Sequence, residues 1–478
     1  SSAKSTTPPS ASAELIVVDT GSQDRTMEIA AKFTDKLYSF PWNGSFSKAR
    51  NASILHADGE YIMIMDADEE ISPSELEKLK DVFSSRNYQQ NLTYVIRLKS
   101  YTDASLTRYT TMAQPRIFRN NGEFYYSSSV HNQPVCSPPI KSLDVEICHY
   151  GYIMTEDIRE KKFLRTSTLL KKELEKNPKN LYYRFQMSTS YAMYGDIKKA
   201  LEQVEIYMRR IDALDQFNDT VLMYYNNAAI INLDCHRYDE CDRICKKGLR
   251  IRPDYIDLLY CEADLHFIRE EYEESLSYAA DYLKLADTFQ KNDMARDGRF
   301  VFYSICNRED VKELFLVASY RLKHFDDVIS MASRLVGNRL LKSCLHEIVD
   351  AYLGSGRFSD LSEFYQDRIE TNEDPDTGFL FRQFLIARLS EQPEEFQRKC
   401  LSEFCPEFRA RYVPADLADS DYRLFTPDLI DRYDFDGVDY ESLYPFLTDA
   451  VPTVLAFSVK ECGNPAQLNH MKKLAAII

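Results

Sequence analysis

From Tyr152 onward the chain reads as helix after helix with a fixed period, and that period restricts the fold more than any other feature. Ala229 and Ala263 stand 34 residues apart, as do Tyr238 and Tyr272, which is the spacing of tetratricopeptide units. The segment CHRYDECDRICKKGLRIRP places Tyr238, Cys241, Cys245, Gly248 and Pro253 at the offsets of the second helix and closing turn of such a unit. Looser copies occur at YAMYGDIKKAL (191–201), YRLKHFDDVI (320–329) and AYLGSGRFSDL (351–361). About five helical pairs are therefore expected to stack, because each pair buries its apolar face only against its neighbours. Cys235, His236, Cys241 and Cys245 invite a zinc reading, but the repeat offsets of Cys241 and Cys245 are those where small residues pack between helices.

Ahead of the repeats the pattern alternates between strand and helix. ELIVVDT (14–20), KLYSF (36–40) and EYIMIM (60–65) are strand-type runs, and SFSKARNASILHA (45–57) and SPSELEKLKDVF (72–83) read as helices, the latter with Ser72 or Ser74 at its cap. The TGSQD turn offers Ser22 and Asp24 as caps for a further helix through Ala31. Such alternation predicts an α/β sheet with parallel pairing, covered on both faces. TYVIRLKS and RYTTMAQPRIFRN look like antiparallel strands at one side. Four segments follow: a Ser/Thr/Pro-rich lead-in (1–13) read as disordered, an α/β domain (14–170), helical repeats (171–404) and a C-terminal helical cap (405–478), with turns at 371–377 and 463–466.

Composition narrows the partners. With 75 acidic against 59 basic residues, the net charge of −16 argues against a non-specific grip on nucleic acid or anionic lipid. No run approaches 18 apolar residues, so no membrane span is expected. SSAKSTTPPSASA carries one Lys and no apolar segment, unlike a secretory signal. Eleven cysteines scattered without framework spacing suit reduced thiols in a cytoplasmic protein.

The chemistry is expected at the carboxyl ends of the strands, where Asp19, Asp66 and Asp68 fall. Side chains alternate along a strand, so Asp66 and Asp68 project the same way. Paired carboxylates suit a hard cation such as Mg²⁺ or Mn²⁺, which in turn holds a diphosphate. Arg50 offers a forked cation for phosphate or base, and Lys162 and Arg165 lie one helical turn apart where both could reach a diphosphate.

Taken in order, IVVDTGSQDRT, PWNGSFSKARN, GEYIMIMDADEEIS, PRIFRN, VHNQP and HYGY resemble the catalytic domain of family 2 glycosyltransferases of the GT-A (Rossmann-like) fold. The layout is similar to the bacterial group fused to tetratricopeptide helices, which includes bacteriocin glycosyltransferases acting on cysteine or serine of small peptides. The resemblance implies a nucleotide-sugar donor, a UDP-sugar if Asp19 accepts the imide N–H of uracil, and a peptide or protein acceptor. It also implies that Asp68 binds the metal, that Asp66 serves the ribose or the metal, and that His149 completes the metal shell.

An inverting transfer needs a base near the acceptor. Relatives carry His-Glu where this chain has His131-Asn132, and Asn132 cannot take a proton. Glu123, Asp144 and Glu146 are the nearby alternatives; a thiol acceptor, with its lower pKa, would need less help than an alcohol. Relatives also begin with a strand ending roughly in M-I-V-K-N-E, and no such strand precedes Glu14. The donor sheet is thus expected to lack its first strand, the chain being a truncated fragment or an impaired enzyme. Two rival readings are a non-catalytic tetratricopeptide scaffold on a degenerate transferase domain, and another DxD enzyme such as a nucleotidyltransferase, for which no Gly-rich phosphate loop is present.

Overall fold

The computed structural model describes residues 13–405 and 408, apart from 86–87, 128–132, 154, 214–218 and 336–337. It divides into two units: one runs to Leu265 and includes Lys284–Asn307, the other comprises His266–Leu283 and continues from Arg308. His131, Asn132 and nearly all of the expected C-terminal cap fall outside the described residues.

The first unit opens with β1 (Val17–Asp19), α1 (Thr26–Ala30) and β2 (Leu37–Ser39), and β1 pairs parallel with β2. Asp24, not Ser22, receives the first turn's Thr26 amide (3.0 Å). Next come α2 (Phe46–Ile54), β3 (Tyr61–Met63), β4 (Glu69–Glu70) and α3 (Pro73–Ser84). Ser45 caps α2 and Ser72 caps α3, each hydroxyl accepting an amide that the helix leaves unpaired.

The larger sheet is built on β5 (Thr93–Tyr101), β6 (Tyr109–Arg119) and β9 (Ile140–His149), with the small hairpin β7 (Tyr125–Ser127) and β8 (Gln133–Val135) beside it. β5 lies antiparallel to β6 and parallel to β9; β3 joins β6, and β4 joins β9. Tyr94, Ile96, Ile117, Val145 and Ile147 fill its core with Leu79 of α3. The antiparallel pair is where the sequence places it. The sheet as a whole is mixed, and β1–β2 stands apart from it.

After α4 (Glu156–Lys176) the helices come in pairs: α5 (Leu181–Tyr194) with α6 (Ile197–Ile211) and α7 (Leu222–Asp234) with α8 (Tyr238–Ile251), and then α9 (Ile256–Ile268) and α10 (Tyr272–Thr288) follow along the chain. Three more follow: α11 (Arg308–Arg321) with α12 (Phe325–Ala332), α13 (Asn338–Ser355) with α14 (Phe358–Phe364), and α15 (Pro375–Ser390) with α16 (Glu394–Ser402). That makes five pairs within the two units, among the described residues. In the first unit Gly248 lets the helices close up, since a Cβ there would stand 2.3 Å from Leu258 Cδ1. Cys241, Cys245 and Cys261 fill the same seam, buried with their sulfurs within 4.8 Å of one another. His236 lies elsewhere, exposed and 3.0 Å from the Tyr238 hydroxyl, so the quartet read from the sequence does not assemble. The second unit has its own core, in which Leu316, Val328, Leu345, Ile348, Phe379 and Phe384 are buried. Among the described residues no helix is long and apolar enough to cross a membrane.

The turns between successive helices explain why the repeat loosens. His236, Glu270 and Lys323 each occupy the left-handed region at such a turn. The first two are 34 residues apart and the next two 53, so 19 residues are inserted, matching the stretch 289–307. This insertion carries β10 (Val301–Phe302), which pairs antiparallel with β6 through Val301–Met112 and Phe302–Thr111. Arg108 Nη1 donates to Asn307 Oδ1 at 2.7 Å, and a Cβ on Gly298 would stand 2.9 Å from the Ala113 carbonyl. The insertion therefore clasps α7–α9 to the sheet. Its anchor is Asp257, fully buried, whose carboxylate accepts from the Tyr303 and Ser304 amides, the Ser304 hydroxyl (2.6 Å) and Asn226 Nδ2 (3.1 Å). We expect Asp257→Ala to lower unfolding free energy by about 3 kcal/mol, the cost of stranding buried donors. Chemical denaturation would measure it; a loss under ~0.5 kcal/mol would mean the clasp is unimportant.

Candidate active site

The DAD turn is built on a buried ion pair. Arg116 of β6 and Glu69 meet with both side chains almost fully buried, at 3% and 1% exposure. Glu69 Oε2 accepts the Asp66 amide (2.8 Å) and Arg116 Nη1 (3.0 Å), and Arg116 Nη1 also reaches the Ile64 carbonyl (3.1 Å). Burial pushes the Glu69 carboxyl up, against the pull of Arg116. The pair fixes the backbone at the end of β3, and with it the direction of the two aspartates.

Those aspartates take different partners. Asp66 is closed by Arg50 of α2, whose Nη2 contacts both carboxylate oxygens. Arg50 is itself held by the Tyr126 hydroxyl (3.3 Å) and lies 5.1 Å from that ring's centre. Asn51, the next residue, exchanges two hydrogen bonds with the Tyr126 backbone and so fastens α2 to β7.

Asp68 instead faces His149. The β4–β9 pairing sets Glu69 opposite His149, the Tyr150 amide donates to the Asp68 carbonyl (2.9 Å), and Asp68 Oδ2 lies 3.4 Å from His149 Nε2. His149 Nδ1 is 3.1 Å from Ser100 Oγ, a contact that fixes the ring so that Nε2 points outward. Asp68 remains half exposed, and its hydrogen bond with His149 holds its carboxyl below the usual range. Gly151 makes room for both: a Cβ there would stand 2.2 Å from Asp68 Oδ2 and 2.6 Å from His149 Nε2.

Cations approach from α4. Lys162 Nζ is 3.4 Å from the Gly151 carbonyl and 4.2 Å from the centre of the Tyr152 ring. Burial pulls its pKa down, Asp68 opposes that shift, and Arg165 adds to it. Arg165 lies over Phe46 at 5.6 Å. Asp19 forms a tight turn, its Oδ2 accepting the amides of Gly21 (2.9 Å) and Ser22 (3.0 Å). Gly21 has φ +115°, which favours glycine there.

The site fits a divalent cation. Two ligands at right angles on an ion with bonds of ~2.1 Å lie about 3 Å apart, close to the Asp68–His149 separation. Asp66, with both oxygens on Arg50, is not part of that pair. A one- or two-ligand protein site that leaves positions to phosphate oxygens and water is the usual arrangement for Mg²⁺-type ions.

The base candidates lie elsewhere. Glu123 sits in an exposed turn with Asn121 (3.0 Å). Asp144 and Glu146 share Arg97 (3.1 and 3.4 Å), and strand alternation sets them on the opposite face of β9 from His149. Asn132 is outside the described residues. Sequence reasoning gave no role to Glu69, Arg116, Ser100, Gly151 or Tyr126; Glu69 beside the DAD, Arg116 inside PRIFRN and Gly151 inside HYGY carried a local signal.

Residues 2–148 match the family model Glycosyl transferase family 2, so the sheet-bearing part of the chain is similar to family 2 glycosyltransferases, and paired helices follow it. Among similar proteins is a TPR repeat-containing protein of Synechococcus elongatus, 29% identical over 200 residues, covering 39% of this chain and 48% of that one. The SPbeta prophage-derived glycosyltransferase SunS of Bacillus subtilis is 27% identical over 216 residues, 43% of this chain and 49% of its own length. An uncharacterized glycosyltransferase of Rickettsia bellii is 32% identical over 151 residues, 30% and 49% respectively. The chain spans about half the length of these curated relatives.

Proposed function

We propose that this protein is an inverting, metal-dependent glycosyltransferase that moves a sugar from a nucleotide sugar, a UDP-sugar, to a peptide or protein acceptor in the cytoplasm. The observation that carries the reading is the pairing of Asp68 with an oriented His149 in a space kept open by Gly151. Asp68 and His149 would hold Mn²⁺ or Mg²⁺, which supplies Lewis-acid neutralisation of the departing diphosphate. Lys162 and Arg165 flank the same place with positive charge, and Arg50 holds the Asp66 carboxylate, which would serve the ribose. Asp19, its Oδ2 occupied by the turn, retains acceptor capacity for the uracil imide.

Support for the acceptor is of another kind. Stacked helical pairs present extended surfaces suited to peptides. The direct test compares donor hydrolysis and transfer by wild type and Asp68→Ala, with and without Mn²⁺. The wild type should require the ion and the variant should lose roughly 100-fold or more in rate; identical behaviour of the two proteins would refute the metal assignment.

A further inference from the structure

Three cysteines converge on one point of the helical region, outside the site described above. Cys241 and Cys245 stand one turn apart on α8 and so face the same way; Cys261 meets them from α9. All three residues are buried, at 0–1% exposure. Their sulfurs lie within 4.8 Å of one another, and Cys241 Sγ is 3.5 Å from Cys261 Sγ. Among the described residues no histidine nitrogen or carboxylate oxygen joins that group.

Packing alone asks less of these positions. Alanine fills a helix seam, as the fully buried Ala228 and Ala263 do on α7 and α9, whereas three thiols brought together form a set of soft donors. Sulfurs bound to one ion through bonds of ~2.3 Å stand about 3.4–3.8 Å apart at pyramidal to tetrahedral angles. The Cys241–Cys261 pair already has that separation. Cys245 has at most about 1 Å to close, a shift that rotation of the side chain supplies without moving either helix.

Charge decides which ion suits the group. Three thiolates leave a net −2 around a monovalent ion and −1 around a divalent one, and an unpaired charge in so buried a place is costly. Zinc also takes a fourth ligand, which the group does not offer. A trivalent ion gives a neutral complex. The surroundings favour neutrality: burial pushes the Cys245 thiol well up. The hydrogen bond with Cys241 does the same for Cys261, and the buried Glu262 carboxylate adds to it.

We propose that Cys241, Cys245 and Cys261 form a capture site for a trivalent thiol-binding ion of the arsenic(III) type. Arsenous acid would exchange its three hydroxyl groups there. Three As–O bonds break, three As–S bonds form, and each thiol proton leaves with a hydroxide as water, so that As(OH)₃ and three thiols give one neutral As(S–Cys)₃ centre and three waters. No oxidant or reductant takes part. The centre would staple α8 to α9. Because the sulfurs are buried, uptake waits on local opening of that seam and is slow.

Intact-mass spectrometry of the full chain, kept reduced with a phosphine and incubated with sodium arsenite, reads the adduct directly. The wild type should gain one arsenic less three protons per chain, over a slow time course, together with a higher unfolding midpoint. Cys245→Ala and Cys261→Ala should lose the adduct, while Cys235→Ala, which removes a thiol outside the group, keeps it. No adduct on the wild type overturns the proposal, whether or not the variants fold. So does an adduct that survives Cys261→Ala, which would place the arsenic on other cysteines, or uptake complete on mixing, which would mean exposed thiols. Tighter binding of Zn²⁺ than of arsenite in calorimetric titrations would overturn the choice of ion.

Discussion

Gly151→Ala is expected to abolish tight Mn²⁺–UDP binding in a protein that still folds. The added Cβ would fall 2.2 Å from Asp68 Oδ2, 2.6 Å from His149 Nε2 and 3.1 Å from Asp68 Cγ. One methyl group would thus strike both candidate ligands at once. Asp68 is half exposed and free to swing away, so the strain is relieved by losing the ligand geometry and not by unfolding. His149 has less freedom, with its Nδ1 on Ser100 and its ring edge-on to Tyr152 at 5.1 Å. Affinity should fall by at least the 10–100-fold typical of disturbing a metal site's supporting shell, with the thermal transition close to wild type. Calorimetric titration alongside thermal unfolding decides the matter. Unchanged affinity would show that the ion, if one binds, does not sit between Asp68 and His149.

The same geometry shows how far the sequence reaches. Strand alternation is enough to aim Asp66 and Asp68 alike, and a helix after β2 is enough to put Arg50 nearby. It does not tell which aspartate Arg50 neutralises. That division depends on the β4–β9 register, which brings His149 to Asp68 across 81 positions of chain. Pairings of this kind leave no periodic trace. The Glu69–Arg116 pair is invisible for the same reason: each residue reads as an ordinary surface charge until β6 is laid beside β3.

The helical region fails differently. Its 34-residue period is plain where units are intact, because identical packing positions demand similar residues. It breaks at the 19-residue insertion, whose two-residue strand β10 is too short to produce any alternation. What fixes that strand is Asp257, an acidic residue inside a helix that sequence patterning would place in solvent, yet it is fully buried. β1–β2 was legible as a parallel pair, but its separation from the larger sheet follows from pairing that only coordinates reveal.

Arg116→Met should be the most damaging single substitution for stability. It leaves the Glu69 carboxylate, at 1% exposure, without its counter-charge, and breaking a buried pair from one side costs about 3–5 kcal/mol. The loss should also depend on pH. Burial already raises the Glu69 pKa in the presence of Arg116, and removing the guanidinium raises it further. A carboxyl whose folded pKa exceeds its unfolded value folds at no electrostatic cost below the unfolded value, near 4.5. It loses stability as pH rises through the folded value. The variant should therefore be closest to wild type near pH 4.5 and fall behind it toward pH 8. Adding Glu69→Leu should restore much of the stability, since a well-packed apolar pair can replace a buried ionic one. It should not restore donor binding, because the Asp66 amide would still lack the Glu69 oxygen that holds the DAD turn. Denaturation curves for the single and double variants from pH 4.5 to 8, with UDP–Mn²⁺ titration of the double variant, measure both effects. A single variant that is equally stable across that range would show that Glu69 is not carrying a buried charge.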